Sequence, residues 1–301
     1  MVGSINRDYI IQTATRPEPG ETITGARLSI ASGGKGANQA VAAALLGVPI
    51  RLIAEIGDDV TGRELLIALR AAGIETADVI GNPSAATGAA FITITPDGEN
   101  AIVVASGANS LLGSAELQAK RSVLEAADLL LLQLEVPDEA IETATQLVGS
   151  ETLVILNAAP YRELSQAVMR RVDVLVVNAV EARQLLGYDS SLEDGAAFAR
   201  IGARATVVTL GSVGVRAFVG SRILQHDSLQ RRVVDTTGAG DAFVGALGAW
   251  LAREPVGHSD DIDEALARAL PAASIAAAYS VQRLGAQSSY GTCDELGPPW
   301  S

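Results

Sequence analysis

Cysteine is almost absent from this chain of 301 residues. Cys293 is the only one, which excludes an intramolecular disulfide and a cysteine-based metal cluster. Histidine occurs twice, as His226 and His258, both read as lying in polar loops and without the spacing that a catalytic triad or a zinc site needs. Lysine is equally scarce, with Lys35 inside a glycine-rich stretch and Lys120 elsewhere. No apolar run approaches the ~20 residues that span a bilayer, and Met1-Val2-Gly3-Ser4 does not open a signal peptide. A cytoplasmic location is expected. Basic residues are outnumbered 35 to 22, for a formal charge of −13, and no basic run could follow a phosphate backbone, so nucleic acid is not an expected partner.

Aliphatic side chains are what the chain has in quantity: 48% of it is hydrophobic while aromatics make up 4%. That composition suits a core packed between a sheet and helices. Short aliphatic runs at 51–56, 129–134, 152–157, 174–177 and 206–210 read as buried strands. Amphipathic segments at 36–46, 61–72, 114–127, 137–147, 180–186 and 191–203 read as helices, the last opening on a capping-box pattern at Ser191-Leu192-Glu193-Asp194. Alternating β and α predicts an α/β fold, a doubly wound and mostly parallel sheet flanked by helices. Residues 21–30, and 90–95 with 101–105 around the turn signal Pro96-Asp97-Gly98, break that rhythm and predict a small separate β-sheet. No repeat or linker divides the chain, so residues 1–301 read as one domain with a β lid from about 9–31 and 88–105.

The strongest chemical signal is Asp235-Thr236-Thr237-Gly238-Ala239-Gly240-Asp241, directly ahead of the helical run 242–251. Small residues before a helix let backbone N–H groups meet a phosphate-sized anion, and the helix dipole adds positive potential. Asp241 in the first turn is placed to take a proton from a hydroxyl attacking a phosphoryl group. A glycine-rich turn with an acidic helix start accounts for the segment about as well. The run Gly33-Gly34-Lys35-Gly36-Ala37-Asn38-Gln39-Ala40 combines close backbone approach with amide and ammonium donors. It is neither a Walker A loop nor a dinucleotide fingerprint, because Ser29 and Gln39 stand where glycine or alanine is required. Asn6 and Asp8 fall on one side of an extended segment, suited to vicinal hydroxyls, although polar residues at a strand end are more often simply solvated. Asn178 and Glu181, after a strand, suit either Mg²⁺-bound water or a helix cap. Thr209-Leu210-Gly211-Ser212 follows another strand.

In order and spacing these blocks, with Gly3-Ser4-Ile5-Asn6-Arg7-Asp8, Gln133-Leu134-Glu135 and Gly285-Ala286-Gln287, resemble the ribokinase (PfkB) family of carbohydrate kinases over nearly the whole chain. The resemblance implies ATP-dependent phosphorylation of D-ribose at O5 with Asp241 as base and the N–H groups of Gly238, Ala239 and Gly240 stabilising the transferring phosphoryl. It assigns the sugar to Asn6, Asp8, Gly34, Lys35, Gly36, Asn38, Glu135 and Asp241. ATP falls to Thr209, Gly211, Ser212, Gly214, Gly240 and Ser274, with Asn178 and Glu181 supporting Mg²⁺ and the phosphates. K⁺ falls to Asp235, Thr237, Ser280, Arg283, Gly285 and Ser289. A homodimer through the lid is implied. The sequence departs from the family pattern at Ser274, where Asn or His is usual, and in a first strand that has only Met1 and Val2 before Gly3. Kinases of the same fold for 2-deoxyribose, fructose or a nucleoside, and a catalytically silent sugar-binding regulator, are the rival readings.

Overall fold

The computed structural model describes residues 1–96, 100–187, 191–254 and 262–301. Its strands, in chain order, begin with β1 (Asn6–Gln12), β2 (Arg27–Gly33), β3 (Ile50–Arg51), β4 (Ala54–Gly57), β5 (Ile74–Glu75), β6 (Val79–Asn82), β7 (Gly88–Ile94) and β8 (Asn100–Ala105). They continue with β9 (Leu129–Gln133), β10 (Leu153–Asn157), β11 (Val174–Asn178), β12 (Ala205–Thr209), β13 (Gly214–Val219) and β14 (Arg222–Asp227). The main sheet runs β14-β13-β12-β11-β10-β9, parallel from β9 to β12 and antiparallel at β13 and β14. The N-terminal strand shrinks to a single position: Val2 bridges Leu132 on one side and Ile53 on the other, in parallel. That one residue links β9 to the β3–β6 region.

Strand alternation sorts the core into two faces. Leu130, Leu132, Val154, Leu156, Leu175 and Val177 pack on one side against α3 (Ser114–Gln118), α4 (Arg121–Glu125), α5 (Asp138–Leu147), α6 (Gln166–Arg171), α7 (Ala179–Leu186) and α8 (Gly195–Ala199). Leu131, Ile155, Val174, Val176 and Val207 pack on the other against α1 (Lys35–Leu45), α9 (Ala239–Arg253) and α10 (Ile262–Ser280). A third apolar cluster joins Val41 of α1 to Leu65 and Leu69 of α2 (Val60–Ala71).

The expected strand at 51–56 is interrupted: the Leu52 N–H still bonds the Glu75 carbonyl of β5, whereas Ile53 bridges Val2. The expected helix at 114–127 is two short helices broken at Ala119-Lys120, where Lys120 turns to ion-pair with Asp78. The helix expected at 191–203 is only α8, and its cap is Asp194, which accepts from the Ala197 N–H, rather than Ser191. His226 lies on β14 and not in a loop; His258 lies outside the described residues.

A second, four-stranded sheet runs β2-β1-β7-β8, with β1 and β7 parallel. Its second strand is Arg27–Gly33, with residues 21–26 irregular, and Asp97 and Gly98 of the expected turn lie outside the described residues. The register puts Asn6, Asp8, Ala31, Gly88 and Ala90 on one face, turned inward. Tyr9, Leu28, Ile30, Phe91 and Val103 share the opposite face. Among the described residues no helix is long and apolar enough to cross a membrane.

Candidate active site

Four parallel strands end in polar residues at the same edge of the main sheet: Gln133 stands opposite Asn157, and Asn178 opposite Thr209. Carboxyl ends of such sheets are where ligands bind, since the loops diverge there and helix N-termini point inward. One of those N-termini is that of α9. Gly238 caps it in the left-handed conformation with φ 74°. A Cβ at Gly238 would come within 2.6 Å of the Ala286 Cβ and of the Tyr290 hydroxyl oxygen, so only glycine fits. The Tyr290 hydroxyl, buried, donates to the Gly238 carbonyl at 3.1 Å. Burial, together with the charges of Asp241 and Asp8, pushes that phenol far up, so it stays a neutral donor.

Asp241 sits in the first turn of α9 with 6% of its surface exposed. Asn38 Nδ2 donates to its Oδ2 at 3.0 Å and Gln39 Nε2 to its Oδ1 at 2.9 Å. These amides belong to α1, which lies against α9. The charge of Asp241 is the main cause holding the Lys35 ammonium above its ordinary pKa, against the opposing effect of burial. Lys35, Asn157, Asn178, Glu181, Thr209, Gly238, Gly240 and Asp241 enclose one cavity of about 210 Å³. Burial raises the Glu181 carboxyl as well, partly offset by the Asn178 N–H and Lys35.

Toward the second sheet, Asp8 is pushed up to about 7 by burial first and then by the charges of Glu135 and Asp241. Asn6 Oδ1 accepts from Asn109 Nδ2 at 2.8 Å, and Asn109 also grips the backbone of Ile5 and Ser106. Gly34, at φ 88°, caps α1, and a Cβ there would meet the Asn6 nitrogen at 2.7 Å. Glu135 Oε2 accepts the Lys35 N–H at 2.9 Å and the Ser4 hydroxyl at 2.6 Å, while Ser4 Oγ accepts the Gly36 N–H. Glu135 therefore holds the start of α1.

On the far side of Asp241 a cleft of about 320 Å³ is walled by Thr209, Gly211, Ser212, Gly214, Gly240, Ser274, Ala277 and Val281, among others. Every residue expected at the nucleotide thus lines one of two adjoining spaces. Asn178 and Glu181 form a complete capping box on α7. The Ala239 N–H bonds the Thr236 carbonyl at 3.2 Å, a bond that must open or be shared before that N–H meets an anion. Asp235 accepts the Thr237 N–H on one oxygen and the Gly285 N–H on the other, drawing two distant loops together. Ser280 and Ser289 donate to their own preceding turns, and the Arg283 guanidinium lies over the Tyr279 ring.

Asn157, Asn109 and Tyr290 join the site without having been singled out by sequence, whereas Gln39 stood in the glycine-rich run as one of its donors and Gln287 in the motif Gly285-Ala286-Gln287, neither with an assigned role. Asn157 carried a usable signal, a polar residue closing an aliphatic strand at the carboxyl edge; Tyr290 and Asn109 carried none.

A carboxylate set between a polar cleft and a cleft of small residues at a helix N-terminus can do one thing well. It can draw a proton from a hydroxyl on one side while a phosphoryl group is presented on the other. Fold and site together define a phosphotransferase for a small hydroxylated substrate. The family described as pfkB family carbohydrate kinase matches residues 1–293, and the chain belongs to it. A ribokinase of Haemophilus influenzae is 38% identical over 305 residues, 98% of this chain and 95% of the relative. A deoxyribokinase of Salmonella typhi is 31% identical over 98% of this chain and 96% of the relative. The structure of Arabidopsis thaliana ribokinase complexed with ribose and ATP superposes with a TM-score of 0.86 at 28% identity, covering 98% of this chain and 96% of that one. The chain is an ATP-dependent sugar kinase.

Proposed function

We propose that this kinase transfers the γ-phosphoryl group of ATP to O5 of D-ribose, with Asp241 as general base. The observation that carries the reading is the Asp241 carboxylate itself, buried at the start of α9, held by Asn38 and Gln39, and lining the cavity that shares Thr209 and Gly240 with the neighbouring cleft. The 5-hydroxyl gives its proton to Asp241, its oxygen forms the new P–O bond, and the bond to the β-phosphate oxygen breaks with its electron pair leaving on ADP. Transfer of this kind is mostly positioning and charge stabilisation. Asn6 and Asp8, on the inward face of β1, together with Lys35, Asn38 and Glu135, supply donors and acceptors for the ring hydroxyls.

The donor set of Asn178 and Glu181, a carboxylate in a cavity where Lys35 is the lining cation, fits Mg²⁺, which neutralises phosphate charge when bound. Carboxylate, hydroxyl and carbonyl oxygens around Asp235, Thr237, Ser280, Gly285 and Ser289 fit K⁺, which supplies positive charge beside the N-terminus of α9 when bound. Arg283 would take part only through its backbone, its guanidinium being engaged with Tyr279. Residues 1–301 act as one domain in this reading, with β1, β2, β7 and β8 as a lid that excludes water. Tyr9, Leu28, Ile30, Phe91 and Val103 on the lid's outer face, where Leu28 is 61% and Val103 68% exposed, suit pairing with a second copy. ATP as donor puts the reaction in the cytoplasm.

A 2-deoxyribose substrate is the second reading, supported by the similarity to a deoxyribokinase. An ADP-release assay over ribose, 2-deoxyribose, fructose and a nucleoside separates the two. Turnover fastest with ribose is expected; no turnover with either pentose sinks both readings, and only failure with all four substrates would leave a silent sugar-binding protein.

A further inference from the structure

Gln39 is fully buried and its Nε2 serves two acceptors at once, Asp241 Oδ1 at 2.9 Å and Asn157 Oδ1 at 3.0 Å. Its own Oε1 is buried without a hydrogen-bond partner. An orphaned acceptor costs about 1–3 kcal/mol, so a side chain retained only for packing would be better as Leu or Met. The orientation of the amide is locked from behind. Asn157, 7% exposed, donates its Nδ2 to the Val176 carbonyl at 3.2 Å and so must turn Oδ1 toward Gln39. A flipped Gln39 amide would set oxygen against both Asn157 Oδ1 and Asp241 Oδ1.

The other oxygen of Asp241 is treated alike. Asn38 donates to it, and the Asn38 Oδ1 accepts from Gln287 Nε2 at 2.9 Å, fixing that amide in the same sense. Asp241 therefore meets only donors from α1, and donors favour the ionised carboxylate over the acid. The charged and titratable groups facing it from other elements are Glu181 of α7, Asp8 of β1 and Tyr290, with Lys35 on α1 itself.

We propose that Gln39 is a positioning residue for phosphoryl transfer: oriented by Asn157, it holds the Asp241 carboxylate by one oxygen and aims its free lone pairs at the attacking hydroxyl. Gln39 lines neither cleft; it acts through Asp241, and its role rests on Asp241 being the base. The relay runs from the Val176 carbonyl through Asn157 and Gln39 to Asp241. It ties the base at the start of α9 to the carboxyl end of β10.

The test is kcat against pH at saturating sugar for wild type, Gln39→Met, Asn157→Ala and the double variant, with thermal melts alongside. Saturation removes from the readout any titration of Asp8 that acts on sugar binding. Gln39→Met is expected to lower kcat at neutral pH by about tenfold or more, change sugar KM by less than about threefold, and move the acid limb to higher pH by about half a unit or more. Asn157→Ala should move the limb the same way, and the double variant should be no worse than Gln39→Met, because the second residue acts through the first. An acid limb that stays at its wild-type position, or losses that add in full, overturns the proposal. Should Gln39→Met fail to melt cooperatively, Asn157→Ala alone decides by the same criterion. Asp241→Asn distinguishes the underlying reading: retained turnover there removes the base itself, whereas an inactive Asp241→Asn with unmoved Gln39 limbs removes only the relay.

Discussion

Gly245 of α9 lies against the backbone of Gln39 on α1: a Cβ at Gly245 would come within 2.5 Å of the Gln39 carbonyl oxygen and 2.6 Å of the Ala42 Cβ. The missing side chain sets the separation of two helices, and that separation sets the reach of Asn38 and Gln39 to Asp241, one turn before Gly245. Gly245→Ala is expected to cost about 1–3 kcal/mol by overpacking and to lower kcat more than it raises sugar KM. Chemical denaturation and steady-state kinetics on the same variant check it; a stable variant with wild-type kcat would show that the spacing does not govern the base.

Asp241→Asn keeps the shape of the side chain and removes its basicity. Turnover is expected to fall by about 10²–10⁴-fold, while calorimetry finds the sugar still bound. Loss of binding in step with turnover would instead make Asp241 chiefly a sugar ligand.

Asp8 yields a pH prediction. Its carboxyl, raised to about 7 in the folded chain, prefers to be neutral there. The unfolded chain holds it near the ordinary carboxylate pKa of about 3.9. Below both values the group is protonated in both states and costs nothing. As pH rises from about 4 to 7 the unfolded state ionises first, and the folded state loses stability until the penalty is complete above about 7. Asp8→Asn should therefore raise Tm at pH 8 and leave it unchanged at pH 4, although sugar binding weakens. A Tm difference independent of pH would contradict the assignment.

Val103→Asp places a charge on the edge strand β8, within the exposed apolar face of the lid sheet. Sedimentation should show a dimer for the wild type and a monomer for the variant. A wild type that sediments as a monomer at micromolar concentration ends the pairing proposal.

Asp235 draws Thr237 and Gly285 together through its two oxygens. Asp235→Asn is expected to abolish stimulation by KCl relative to NaCl while leaving a basal rate. Undiminished stimulation would move the monovalent cation elsewhere.

Sequence alone determined what depends on local order along the chain. The aliphatic runs of β9 to β12 read as buried strands, the glycines before Asp241 marked a turn into a helix, and the succession of short motifs carried the family. Boundaries shifted where a distant partner intervened, as when Lys120 left its helix for Asp78 or when Val2 split β3 from β4.

Only the tertiary structure decided the hydrogen-bond network of the site. Asn38 and Asp241 are 203 residues apart, and Gln287 and Asn38 are 249 apart. No periodicity or propensity registers such a pairing, because its energy comes from desolvated groups meeting across packed helices rather than from either segment. Gln39 shows the limit most clearly. In sequence it was one more donor in a glycine-rich run; it became a candidate for tuning the base when Gly245 brought α9 against α1 and Asn157 fixed which way its amide must face.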